Sequence, residues 1–203
     1  GNPSLNPDQS TSIEIGFKLR YRNLNTQFNV YQTWAQDWIL WLPQSGNIWR
    51  PENIQKVAIS GIEHVLGYQY SLNETELESE VVLNYQRSIN KSAYPSQAAY
   101  GNQLPYVPYF TAIWSNKIHI KKWTIALDLS YTSQRYTTLD QSNTYAVAPY
   151  FLLDIAIDHP LILGSVTTQI SLKANNIFNS YYENIQNRAM PGINFQLQII
   201  TKL

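Results

Sequence analysis

Residues 11–21 read TSIEIGFKLRY, and their apolar side chains occur at every second position. Ile13, Ile15, Phe17 and Leu19 alternate with polar, charged or glycine residues. Because successive side chains of a β-strand point to opposite faces of the sheet, this stretch predicts a strand with one apolar and one polar face. A helix would instead repeat its apolar residues every three or four positions. The pattern therefore favours an all-β fold.

The same alternation recurs along the rest of the chain. We predict about nine strands, most of them about ten residues or longer, which is long for a globular strand and suits a tilted crossing of a membrane. They lie near 11–21, 27–36, 54–71, 77–88, 107–118, 121–134, 148–158, 165–175 and 192–202.

The predicted connections alternate between short and long. Short turns are expected at 22–25, 73–76, 115–121 and 159–164. Long, polar and aromatic loops are expected at 37–53, 89–106, 135–147 and 176–191. Loops of this length are uncommon in compact domains unless they are functional. Short turns at one end of the strands and long loops at the other are typical of an antiparallel transmembrane β-barrel of the outer membrane.

The composition excludes several classes of function. Only 14% of the residues are charged, with 14 basic against 14 acidic, whereas soluble domains carry about 25%. The balance leaves no basic field for nucleic acid. Cysteine is absent, so disulfides and thiolate metal sites are impossible, and the three histidines lack ligand spacing. We therefore predict no catalytic residues, metal or cofactor, and a protein that is not an enzyme.

A soluble β-sandwich that serves as a surface binding protein is the alternative from another class. It also alternates polar and apolar residues along its strands. Its outer face would normally carry Lys and Glu, whereas the polar faces here carry mainly Gln, Asn, Ser and Thr. That composition favours the inside of a water-filled or plugged barrel.

Charged residues on the predicted polar faces should point into the barrel interior and towards whatever fills it. The expected interior residues are Lys18, Arg20, Glu80, Asp128, Asp154 and Lys173.

Aromatic residues in the predicted long loops are the candidate ligand contacts. Trp38, Trp41 and Trp49 could stack on a large planar ligand, although an anchoring role at the membrane interface is the general use of such residues. The loop tyrosines with the same two readings are Tyr94, Tyr100, Tyr136, Tyr145, Tyr181 and Tyr182.

Three segments resemble the TonB-dependent receptor family of outer-membrane proteins. They are the opening GNPSLNPDQS at 1–10, the GIE at 61–63, and the NNIFNSYY at 175–182 followed by Pro-Gly at 191–192. Each also has a purely structural interpretation. The prolines of 1–10 mark a loop before a strand, Gly61 marks a bulge or a close backbone approach, and Asn175 and Asn176 form a turn. Two departures are Ile193, where the family usually has Arg, and the terminal Leu203, where many barrels end in Phe.

The resemblance implies a 22-stranded barrel that encloses a plug domain. It predicts that residues 1–203 are the C-terminal nine strands, and that strands outside this chain pair with its edges near 10–21 and 192–202. The expected partners are an N-terminal fragment or chain that carries the plug and the other strands, TonB through that fragment, outer-membrane lipid, and a surface lipoprotein.

The most specific expectation concerns the identity of the nutrient. The tryptophan-rich segment 37–53 resembles a segment of vitamin B12-type receptors of the Bacteroidetes. The resemblance thus implies uptake of a corrinoid, with a siderophore or haem as the alternatives within the same family.

Overall fold

The structure is a computed structural model that describes residues 2–43, 48–93, 97–163 and 166–202. Nine long strands make one antiparallel sheet: β1 Gln9–Tyr21, β2 Leu24–Pro43, β3 Trp49–Leu72, β4 Thr75–Asn90, β5 Phe110–Ile120, β6 Trp123–Thr132, β9 Tyr150–Leu163, β10 Val166–Asn175 and β13 Asn194–Lys202. Their order in the sheet is the order of the chain, so that β1 and β13 are its edges.

Short elements lie in the long connections between these strands. They are the hairpin of β7 Arg135–Tyr136 with β8 Ala146–Val147, the hairpin of β11 Glu183–Ile185 with β12 Arg188–Ala189, and two 3-10 turns, η1 Gln97–Ala99 and η2 Asn143–Tyr145. Neither of these turns, nor any other helix in the described residues, has the length and apolar character that a membrane-spanning helix requires.

The strand register sorts the side chains into one apolar and one polar face across the whole sheet. One cross-strand row shows this: Leu77, Ile118, Ile125, Ile157, Leu172 and Leu197 are successive partners from β4 to β13. Polar residues such as Asp128 and Gln196 alternate with them and point to the opposite face. Ile15, on the apolar face of β1, remains 74% exposed, because no second sheet packs against that face within the described residues.

Three connections between the long strands are two-residue turns, at 22–23, 73–74 and 121–122. The first residue of each turn, Arg22, Asn73 or Lys121, has a left-handed φ between 52° and 55°. Turns of this hand match the right-handed twist of the flanking strands. The turns expected at 115–121 and 159–164 are shorter than predicted, since β5 continues to Ile120 and β9 to Leu163.

The long loop predicted at 37–53 is wrong in its extent. β2 continues to Pro43 and β3 begins at Trp49, with a regular antiparallel register from Trp38–Ile54 to Pro43–Trp49. Residues 44–47, at the tip, lie outside the described residues. Tyrosine- and proline-rich sequence still forms the other three long connections, at 91–109, 133–149 and 176–193.

At Asp37 the alternation of inward and outward side chains along this extended hairpin shifts by one position. Asp37 has a left-handed φ of 54°, and its carbonyl oxygen accepts a hydrogen bond of 2.5 Å from the Asn53 side-chain amide on the facing strand. Ala35 and Trp38, on either side of it, consequently lie on the same inward side of the wall, where both contact one buried cluster.

That buried cluster is the hydrophobic core of the described structure, and it lies under the long loops. It consists of Ala35, Ile54, Val57, Ala99, Leu104 and Leu139, with Trp38, Leu40, Ile59 and Val107 packed against it. The core therefore joins the β2–β3 hairpin to the loops at 91–109 and 133–149.

Candidate functional site

The opening segment is held against the β2–β3 hairpin by two asparagines. The Asn2 side-chain amide donates to the carbonyl oxygen of Pro51 at 3.0 Å, and its side-chain oxygen accepts from the backbone N–H of Ser4. Asn6 exchanges two hydrogen bonds with the Asn53 side chain, of 2.9 and 3.1 Å. The GNPSLNP motif thus has a structural role: it fixes where the chain enters β1.

The last long loop is closed by a second pair of asparagines. Asn176, which is buried, donates from its side-chain amide to the carbonyls of Ser180 and Pro191, and its side-chain oxygen accepts from the Ser180 N–H. Asn179 accepts from the Ile193 N–H at 2.9 Å. Both asparagines have left-handed φ values. The NNIFN and Pro-Gly motifs therefore clasp the two ends of the loop together.

Arg135 connects the loops at 133–149 and 176–193. The side chain is only 6% exposed, and its Nη2 donates to the carbonyl oxygen of Glu183 at 2.7 Å. The guanidinium carbon lies 5.3 Å from the centre of the Tyr150 ring, within the range of a cation–π contact. The Nε atom is buried without a hydrogen-bond partner in the described structure.

Tyr150 and Tyr182 continue this connection. Their ring centres are 4.8 Å apart, and the Tyr150 hydroxyl donates to the Asn184 side-chain oxygen at 3.0 Å. Burial raises the pKa of the Tyr182 hydroxyl, and the nearby Tyr150 and Asp154 raise it further. Tyr150 and Tyr182 form a polar and aromatic cluster with Arg135 at the loop end of the strands. We call this cluster the loop junction (Arg135, Tyr150, Tyr182, Glu183 and Asn184).

Tyr181 differs from its neighbour Tyr182, because it is 74% exposed. Its hydroxyl donates to the Glu183 Oε1 at 2.5 Å, and this hydrogen bond is the main reason that the pKa of Tyr181 is raised. The other Glu183 oxygen accepts from the Asn187 N–H at 2.8 Å. Tyr181 therefore presents to solvent an aromatic ring that is held by this hydrogen bond.

The three candidate tryptophans do not share one surface. Trp38 packs against the inward buried cluster. Trp41 and Trp49 are 57% and 44% exposed, and the register with Pro51 and Pro43 puts both on the opposite, outward side of the hairpin.

The other candidate tyrosines are spread over the loops. Tyr100 is exposed, with the Lys91 ammonium 5.9 Å from its ring centre. Tyr145 is exposed and its carbonyl oxygen accepts from both the N–H and the hydroxyl of Thr137. Tyr136 is half-buried. Tyr94 lies outside the described residues.

The predicted interior residues Lys18, Arg20, Glu80, Asp128, Asp154 and Lys173 all lie on the polar face. Several fall in one cross-strand row, in which Arg20, Asn25, Gly67, Glu80, Ser115, Asp128 and Asp154 are successive partners from β1 to β9. Asp154 pairs with Lys173 at 3.7 Å and accepts the Asn176 N–H at 2.8 Å. The row therefore carries three carboxylates, Glu80, Asp128 and Asp154, in its part from β4 to β9.

No group of three His, Asp or Glu side chains within the described ranges is arranged to hold a metal ion. The chemistry of the inner face and the loops is instead that of hydrogen bonding, aromatic stacking and charge pairing.

A single antiparallel sheet with an apolar outward face, a polar inward face, two-residue turns at one end and long loops at the other is the wall of an outer-membrane β-barrel. The chain belongs to the TonB dependent receptor-like, beta-barrel family, whose profile matches residues 1–179. Members of that family reside in the outer membrane, and so does this chain.

Two relatives by sequence share the name vitamin B12 transporter BtuB. The protein from Photobacterium profundum is 26% identical over 189 residues, which is 90% of this chain and 28% of that protein. The protein from Vibrio vulnificus is 31% identical over 81 residues, 39% of this chain and 13% of that protein. The chain thus spans less than a third of the length of these relatives.

Solved structures show the same fold. The copper transporter OprC superposes with a TM-score of 0.73 at 17% identity, over 97% of this chain and 31% of that protein. The ferric citrate transporter FecA gives 0.72 at 13% identity, over 95% and 31%. BauA, the ferric preacinetobactin receptor from Acinetobacter baumannii, gives 0.71 at 13% identity, over 95% and 29%.

Apart from Tyr182, the residues of the loop junction were not predicted from the sequence. Arg135 is the first residue of the predicted loop 135–147, and Tyr150 lies near the start of the predicted strand 148–158. Nothing in the neighbouring sequence distinguishes either from other residues at such ends. The one available signal was Arg135 itself, a lone arginine in an uncharged aromatic stretch, since such an arginine is buried only with partners.

Proposed function

We propose that this chain forms the last nine strands and the four extracellular loops of a plugged outer-membrane transporter that takes up a scarce nutrient. The observation that carries this proposal is the sorting of faces along the nine strands, mainly apolar outside, and polar with acidic and basic residues inside. A polar inner wall suits a lumen that holds water or a plug.

The rest of the barrel and the plug are partners that this proposal requires. β1 and β13 are sheet edges, and the hydrocarbon core of a bilayer does not tolerate open edges. Pairing with further strands closes the wall, and a plug in the lumen faces the row of Glu80, Asp128 and Asp154. Contact with TonB would pass through the plug.

For the nutrient we propose a corrinoid. The vitamin B12 transporters among the relatives support it. A ferric siderophore is the second candidate, because the structures with the same fold include receptors of that class.

Competition during uptake tests the nutrient. Cells that depend on the complete receptor would be given radiolabelled cobalamin, together with an excess of unlabelled cobinamide or of ferric citrate. A corrinoid transporter loses label uptake with cobinamide and keeps it with ferric citrate. The reverse result, or the absence of cobalamin uptake, contradicts the corrinoid proposal and leaves the barrel proposal untouched.

The tryptophans have a test of their own. If the hairpin tryptophans contact ligand, replacement of Trp38, Trp41 and Trp49 by Ala in a correctly assembled receptor weakens ligand affinity by about tenfold or more, since an aromatic side chain that a ligand covers is worth a few kcal/mol. Trp114→Ala, on the outward face of β5 and within the sheet, is the control that leaves affinity unchanged. Unchanged affinity in the triple variant would return these residues to an anchoring role.

A further inference from the structure

The outward face of the wall contains a groove that the transport function does not use. It has a volume of about 410 Å³ and lies across β1, β2, β3 and β4. Its lining includes Ile13, Ile15, Val30, Ile62 and Tyr85, which the register places on the outward face.

Two polar side chains also line this mainly apolar groove. Gln32 and Ser60 are cross-strand partners and both line it. Ser60 is small beside its neighbours, so its position leaves the space that longer side chains would fill. A polar patch inside an apolar wall suits the part of a lipid where its acyl chains meet its polar headgroup.

Charge on the outward face is confined to one place. Among the described residues of the nine strands whose side chains point outward, only Lys56 and Arg87 are Lys, Arg, Asp or Glu, and both are exposed. Arg87 is the cross-strand partner of Ser60, which lines the groove. Lys56 lies further along β3, nearer its loop end.

The height of Arg87 fits the outer membrane interface. It is about thirteen residues along β4 from the two-residue turn, which corresponds to a height of roughly 30 Å for a strand tilted by about 45°. An arginine in the middle of the hydrocarbon core would cost about 2–4 kcal/mol, and the cost becomes small only near the interfaces. The extracellular end of the wall is the one with the long loops.

We propose that this groove binds an anionic, phosphate-bearing lipid of the outer leaflet. Its acyl chains would lie along Ile13, Ile15, Val30, Ile62 and Tyr85. Its phosphate would face Arg87 and Lys56, and its linkage region would meet Gln32 and Ser60. Charge complementarity supports this occupant, because an apolar groove with two positive charges at its upper end matches a lipid with negative charge at its head.

The test uses the complete receptor, purified from outer membranes in a mild non-ionic detergent and analysed by native mass spectrometry with added diphosphoryl lipid A. In the variant with Lys56→Gln and Arg87→Gln, lipid A affinity should fall about fivefold for each charge removed. The matched control is Lys121→Gln with Lys122→Gln, which removes two positive charges from a turn at the opposite end of the wall. The control should retain lipid A as the unaltered receptor does.

A second variant tests the contribution of the groove independently of the two charges. Ser60→Leu fills the groove from the lipid-facing side, where a larger apolar residue is well tolerated, and should reduce lipid A binding with both charges intact. Equal binding by the charge variant and the unaltered receptor overturns the proposal. So does equal binding of phosphatidylcholine and lipid A, or an equal loss in the turn control.

Discussion

At the scale of single residues, Gly61 shows how a missing side chain shapes the inner wall. It is the cross-strand partner of Tyr31, and a Cβ atom at Gly61 would come within 2.4 Å of the Tyr31 ring. The ring thus lies directly over the glycine, and its hydroxyl reaches the Gln86 side-chain oxygen at 3.4 Å. Of the two structural readings of the GIE segment, the close approach is correct.

Gly61→Ala should therefore destabilise the barrel by about 1–3 kcal/mol, because Tyr31 must leave its position to avoid overpacking. Urea titration of the complete receptor in detergent, followed by tryptophan fluorescence, measures the change. In a Tyr31→Ala background the same substitution should cost almost nothing. An equal cost in both backgrounds would show that the ring is not the reason for the glycine.

At the scale of elements, the strand faces decide what each position tolerates. Leu127 lies midway along β6 on the outward face, in register with Asn116 and Ile155. Leu127→Arg should destabilise the barrel by about 2–4 kcal/mol, since the guanidinium would enter the centre of the hydrocarbon. Loss of the heat-modifiable folded band on a gel reports this change, with a urea titration for the magnitude.

Thr75→Arg is the matched control for Leu127→Arg. Thr75 also faces outward but lies next to the turn at 73–74, where an arginine reaches the interface and costs about 0–1 kcal/mol. Similar costs at the two positions would mean that the outward face does not meet lipid. Leu197 of β13 is expected to behave like Leu127.

The loop junction predicts that two loops open together. Arg135→Gln removes the hydrogen bond to the Glu183 carbonyl and the cation over Tyr150, so residues 183–189 should open more easily, by about 1–3 kcal/mol. Hydrogen–deuterium exchange over this segment measures it. Arg188→Gln, at an exposed position in β12, should leave the exchange unchanged. Unchanged exchange in Arg135→Gln would contradict the junction.

The sequence predicted all nine long strands and missed the full length of three of them, β2, β3 and β9. Period-two alternation is a property of each strand alone, so it is visible locally. The parts of β2 and β3 within 37–53 were not predicted as strand for two reasons. The left-handed Asp37 reverses the alternation in mid-strand, and Pro43 and Pro51 are residues that normally argue against a strand.

At the scale of the whole molecule, the sheet depends on what completes it. The 203-residue chain expressed without further strands should not form a monodisperse folded monomer in buffer without detergent, because its outward face is apolar and its open edge strands β1 and β13 can pair with other copies. Size-exclusion chromatography with light scattering tests this. A stable monomer in plain buffer would favour the soluble sandwich.

The site was less predictable than the fold, because its contacts join distant parts of the chain. Arg135 and Glu183 are 48 residues apart, and Asn6 and Asn53 are 47 apart. No periodic pattern records such pairs. The aromatic loop residues were found by composition. Strand alternation puts Trp38 and Trp41 on opposite faces, and the backbone angle at Asp37 makes Trp38 the inward one.

The unbroken meander has a consequence for how such a protein can change over generations. Every long strand pairs only with its predecessor and successor among the long strands of the chain. Duplicating or deleting one hairpin would therefore leave every other pairing and its register intact, and would change only the circumference of the barrel. A gene that encodes this wall can widen or narrow a pore by whole hairpins, while the loops it keeps continue to vary independently.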